Sequence, residues 1–125
     1  MIENRRAFII GIKSTILSKK EKIFLKKYKP WGVILFSRNL KKFNQIKKLT
    51  LNIRSIFNDK KYPILIDQEG GRVSRLNNLI ECSVFTAEFF GNLYKKNINK
   101  FFIYYKVYIN QISYLLNELG VNINT

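Results

Sequence analysis

Histidine is absent from this 125-residue sequence, cysteine and tryptophan occur once each, and proline occurs twice. The lone Cys82 cannot close an internal disulfide, and with no CxxC pair and no histidine there is no ligand spacing for zinc. A reduced compartment fits that usage. Long apolar runs are also missing. Ala7–Ile12 is shorter than the roughly 7–15 residues of a signal-peptide core, and nothing approaches the ~20 residues of a membrane span. The sequence therefore predicts a soluble, cytoplasmic chain without a membrane partner. No GxGxxG or GxxxxGK[ST] loop follows any strand-like run, which removes the usual support for a nucleotide-binding doubly wound sheet.

Acidic residues are scarce: 8 against 23 Lys and Arg, for a formal charge of +15. Taken alone, such a charge points to phosphate backbones, anionic lipid or another acidic partner. The lysines, however, are scattered among Ile, Asn, Phe and Tyr along the whole chain, as A/T-rich codons would scatter them, and no cationic face stands out. The expectation is no nucleic-acid partner. A non-catalytic basic module is the alternative, and a salt titration against DNA separates the two.

What is present is apolar and aromatic. With 46% hydrophobic and 14% aromatic residues the chain has the material for a packed interior, and its length suits one domain or part of one. Arg6–Ile12 reads as a strand buried on both faces. Ser18 and Glu21 form a capping box that opens a helix running to about Tyr28, with Pro30 stopping it. Trp31–Phe36 is a second strand. Phe43, Ile46, Leu49, Ile53 and Ile56 follow at helical spacing, and Asn58–Lys61 breaks that helix. Tyr62–Ile66 is a third strand with Pro63 near its start, where a missing amide is tolerated.

Beyond a loop with Asn77 and Asn78, a long helical region starts near Thr86 and is interrupted at Asn97–Asn99. Its second part places Phe101, Tyr105, Tyr108, Ile112, Leu115 and Leu119 on one stripe, a pattern that suits packing against a sheet. Gly120 is a C-cap candidate, and Val121–Asn124 looks like the start of a fourth strand. Alternating strands and helices imply a parallel sheet, either doubly wound or part of a (β/α)8 barrel. Both put chemistry at the C-terminal strand ends, which directs attention to Phe36–Asn39 and Asp67–Arg75.

The second of these stretches, Asp67-Gln68-Glu69-Gly70-Gly71-Arg72-Val73-Ser74-Arg75, packs two carboxylates, two guanidiniums and paired glycines directly after an apolar strand. Carboxylates accept hydrogen bonds from vicinal sugar hydroxyls and a guanidinium donates in a fixed fork, so carbohydrate is a sensible ligand. The same groups could equally form an Asp/Arg network that ties loops together at a barrel rim. Asp67 and Glu69 would lie ~7 Å apart on an extended segment, close to the separation of glycosidase carboxylates. Neighbours on one turn approach a bond from one side, however, so they are not assigned as an acid and nucleophile pair.

Trp31–Asn39 followed by Ile64–Arg75 resembles the family 3 glycoside hydrolases of the cytoplasmic β-N-acetylhexosaminidase type. Weaker similarity continues through Phe85–Gly91 and Glu118–Asn124. The resemblance implies that residues 1–125 are an incomplete barrel domain, the first three to four strands of a (β/α)8 barrel. It implies retaining removal of terminal β-linked N-acetylglucosamine, notably in peptidoglycan recycling, with a small carbohydrate as substrate and no cofactor or metal. By the family pattern Asp67 binds sugar hydroxyls and Arg75 helps to bind substrate, while Arg38, Asn39, Glu69 and Arg72 are candidates for rim support. The resemblance also implies a His acid/base assisted by Asp and an Asp nucleophile further downstream, and this sequence has no histidine. The expectations are a chain with no catalytic residue of its own, inactive and poorly soluble if expressed alone, a fragment or a decayed gene product, or one completed by a second chain.

Overall fold

The structure, a computed structural model, describes residues 4–125. Four strands, β1 (Arg6–Gly11), β2 (Pro30–Leu35), β3 (Ile64–Ile66) and β4 (Ile123–Asn124), pair in that order, and every pairing is parallel. Helices α1 (Lys19–Tyr28), α2 (Phe43–Phe57), α3 (Ala87–Lys96) and α4 (Ile98–Glu118) occupy the connections. Such in-order parallel pairing is that of successive (β/α) units, as the sequence pattern predicts.

Local chemistry accounts for the helix boundaries. Ser18 caps α1 in a complete capping box with Glu21, and Thr86 and Asn97 accept the amides of Phe89 and Lys100 to start α3 and α4. Lys29 and Asn58, both with positive φ, end α1 and α2. Gly120 (φ +76°) follows α4. The interruption at Asn97 is a true break between two helices.

The core lies where α2 and the end of α4 meet the sheet. Val33, Leu35, Ile64 and Ile66 from the strands pack with Ile46, Leu49 and Ile53 of α2 and with Ile112, Leu116 and Leu119. The predicted stripe of α4 divides in two. Its lower part, with Tyr108 and Leu115 partly buried, meets this core, whereas Phe101 and Tyr105 pack around Phe90 of α3.

Two expectations need correction. Strand β1 is not buried on both faces: Phe8 is 36% and Ile9 46% exposed, because β1 is an edge strand paired only to β2 among the described residues. Strand β3 begins at Ile64, not Tyr62. The Tyr62 side chain is used otherwise, stacking on Phe57 at 3.9 Å and donating its hydroxyl to the carbonyl of Pro30 at 2.8 Å. Burial pushes that phenol well above its usual pKa, so it stays a donor. Strand β4 is short, and Asn122 and Asn124 add side-chain bonds to β3 and the residues flanking it. The Oδ1 of Asn122 accepts the Ile64 amide, and that of Asn124 accepts the Gln68 amide. No helix among the described residues is long and apolar enough to cross a membrane.

Candidate functional site

The loops after β1, β2 and β3 are laced together by amide side chains. Asn39, wholly buried, accepts the Phe36 amide through Oδ1 and donates from Nδ2 to the carbonyls of Ile12 and Ser14 at 3.2 and 2.8 Å. Gln45 donates to the carbonyls of Thr15 and Asn39. Asn78 reaches back from the third loop to the carbonyl of Leu40 at 2.7 Å. Each bond satisfies a carbonyl that no strand or helix would pair, so three irregular segments become one platform at the C-terminal ends of the strands.

On this platform the segment after β3 is folded around Gln68. Its buried Oε1 accepts the amides of Arg75 (2.7 Å) and Leu76 (3.1 Å), and its Nε2 donates to the hydroxyl of Ser74 at 3.1 Å. Gly70 and Gly71 make the intervening turn at φ +88° and +56°. A Cβ on Gly70 would lie 2.5 Å from the carbonyl oxygen of Phe85, so the loop closes only on a residue without one. The turn thus brings residue 75 back beside residue 67.

The result is an ion pair: Nη2 of Arg75 donates to Oδ2 of Asp67 at 2.8 Å, and each side chain remains 27% exposed. Nε of Arg75 is buried with no partner among the described residues. The Arg75 guanidinium lies 5.7 Å from the ring centre of Phe36, and that of Arg38 lies 4.7 Å from it, so one phenyl ring contacts both cations. Arg38 also donates Nε to the carbonyl of Ile12 at 2.9 Å, and a Cβ on Gly11 would stand 3.1 Å from its guanidinium.

The structure therefore brings Asp67 and Arg75 together and sets Arg38 and Asn39 against the end of β1. Glu69 and Arg72 are exposed, and neither forms an ion pair among the described residues. Two contributors lie within the stretches the sequence singles out but are given no role there: Gln68, hidden among more conspicuous charges, and Phe36, which reads as one more apolar residue of a strand. A partially open carboxylate beside a guanidinium can accept from and donate to neighbouring hydroxyls of one ligand. No cluster of three metal-ligating side chains occurs among the described residues.

No family model matches the chain. Over 69 residues, 54% of the chain, it is 42% identical to a β-hexosaminidase of Alkalilimnicola ehrlichii, of which it spans 19%. Over 105 residues, 80% of the chain, it is 35% identical to β-hexosaminidase A of Pseudoalteromonas piscicida, of which it spans 17%. The chain thus spans about a fifth of the length of the curated relatives it matches. Among solved structures, NagZ of Neisseria gonorrhoeae in complex with N-trifluoroacetyl-D-glucosamine superposes with a TM-score of 0.52 at 35% identity, over 57% of this chain and 21% of that one. A glycoside hydrolase family 3 β-N-acetylglucosaminidase of a Paenibacillus species shares the fold over 94% of this chain and 22% of that one, with a TM-score of 0.66 at 24% identity. These likenesses of sequence and fold identify the chain as a member of glycoside hydrolase family 3, matching part of the N-terminal barrel domain of its β-N-acetylhexosaminidases.

Proposed function

We propose that this chain carries part of the sugar site of a retaining β-N-acetylhexosaminidase that removes terminal β-linked N-acetylglucosamine in the cytoplasm, during peptidoglycan recycling. One observation carries this reading: the partly exposed Asp67–Arg75 pair at the end of β3, held in place by Gln68. Asp67 accepts the vicinal hydroxyls of the terminal sugar and Arg75 donates to its oxygens. Arg38, Asn39, Glu69 and Arg72 support the rim. The bound N-acetylglucosamine derivative in the Neisseria protein supports a carbohydrate ligand.

Residues 1–125 are, on this proposal, an incomplete barrel domain that binds without hydrolysing. Within them there is no histidine, so the acid–base step that family membership implies has no carrier here. Strands β1 and β4 form the two edges of an open sheet among the described residues, and a second chain supplying further strands would pair there. The test is a titration of the 125-residue chain with N-acetylglucosamine, followed by the backbone amide resonances of Asp67–Leu76. Saturable shifts in that segment, absent from the Asp67→Ala variant, are expected. Shifts that are absent, or unchanged in the variant, refute the site. A companion titration against duplex DNA at physiological salt should show no binding, and tight binding that salt abolishes would favour the basic-module reading instead.

A further inference from the structure

The end of the sheet opposite Asp67 holds a cleft of about 710 Å³ formed where the helix–strand turns α1–β2 and α2–β3 meet the residue preceding β1. Every element that shapes it belongs to the first three strands and their helices, so it stands apart from the sugar platform. Four of its ten lining residues are cations, Arg5, Lys26, Lys29 and Lys61, and one, Asp59, is acidic. That acid is already engaged, accepting from the Arg5 guanidinium and, at 2.7 Å, from the Lys61 amide. Arg5 is held further by the Tyr62 ring, 4.7 Å below it.

Lys26, Lys29 and Lys61, by contrast, form no ion pair among the described residues. They stand over an apolar floor of Trp31, Ile56, Phe57 and Pro63. Three lysines without an ion pair around this cleft raise the local concentration of phosphate, while the half-buried Trp31 adds aromatic surface to its lining for a planar ring. Scattered lysine alone would not set this charge against the chain's one tryptophan.

We propose that this cleft binds a small organic phosphate carrying a flat ring, such as a nucleoside diphosphate, with its phosphates on Lys26, Lys29 and Lys61 and its ring against Trp31. A site at the N-terminal strand ends lies away from the sugar platform, about 20 Å along β2 by strand rise, and suits an effector rather than a substrate.

Trp31 is the sole tryptophan, so its emission reports on this cleft directly. Titrating the 125-residue chain with ADP is expected to change that emission saturably. Adenosine and pyrophosphate, each carrying half of the recognition, should bind at least about tenfold more weakly. Replacing the three exposed lysines (Lys26→Ala, Lys29→Ala, Lys61→Ala) should raise the ADP midpoint by the same factor without altering the far-UV circular dichroism. An absent response to ADP overturns the proposal. So does an equal response in the triple variant, or one reproduced by sodium chloride at matched ionic strength. A response confined to long oligonucleotides overturns it too, because the charge would then serve a polyanion.

Discussion

The side-chain oxygen of Gln68 accepts the backbone amide of Arg75 at 2.7 Å, closing the intervening loop with one partly buried bond. A second bond to Leu76 at 3.1 Å makes this oxygen the closure of the segment. Gln68→Ala leaves two inward-facing amides without a partner, and each unsatisfied buried donor costs roughly 1–3 kcal/mol. The expected outcome is a loss of about 2 kcal/mol or more in urea unfolding, together with increased amide exchange at Arg75 and Leu76. Gln68→Glu, which keeps an acceptor in place, should recover part of both.

The Asp67–Arg75 pair contributes differently. Both partners are partly exposed, so solvent screens their attraction and the pair is worth at most about 1 kcal/mol to stability. Asp67→Ala should therefore leave the urea midpoint within about 1 kcal/mol of the parent while weakening N-acetylglucosamine binding at least about tenfold. A variant that lost both properties equally would make the pair a structural tie and nothing more.

Phe36 shows where sequence reading succeeds and where it stops. Its place at the end of an apolar run located β2 to within one residue, just as Ser18 and Thr86 marked helix starts and Asn97 an interruption, because these features follow from short-range rules. Nothing local says that its ring will lie beside two guanidiniums 37 positions apart in the sequence, Arg38 on its own loop and Arg75 on the next. The lacing by Asn39, Gln45 and Asn78 was invisible for the same reason: an amide side chain in a loop or a first helical turn has many local partners, and only the assembled sheet selects one. The exposure of β1 is the converse case. Its apolar run fits a buried strand, and the number of neighbours a strand acquires is a property of the whole sheet.

Two glycines respond oppositely to the same change. At Gly70 (φ +88°) an added methyl meets the Phe85 carbonyl oxygen at 2.5 Å and the Tyr108 hydroxyl at 2.7 Å, so Gly70→Ala combines strain with a backbone clash. A loss of about 2 kcal/mol or more is expected. Gly91 lies inside α3 with nothing within 4 Å of a new Cβ, and Gly91→Ala should stabilise by roughly 0.5–1 kcal/mol. Thermal unfolding of the two variants side by side checks the sign of each.

The capping box of α1 gives the stability a defined acid limb. Partial burial pushes the Glu21 carboxyl upward, but the amides of Lys13 and Ser18, at 2.8 Å each, and the Ser18 hydroxyl, at 2.7 Å, outweigh it and hold the group below the usual carboxylate value. A carboxylate depressed in the folded state contributes stability that is complete above the unfolded pKa and disappears as pH falls through the folded one. The difference in urea midpoint between the parent chain and Glu21→Gln should therefore be constant at neutral pH and close on the acid side, below the ordinary glutamate range. Ser18→Ala removes the neutral half of the box and should cost about 1 kcal/mol. With Ser18 gone, the remaining acid dependence of Glu21 should shift toward higher pH, since one of the donors that stabilise its charged form is missing. A Glu21→Gln difference that persisted undiminished into acid would show that the carboxylate's charge is not what the box uses.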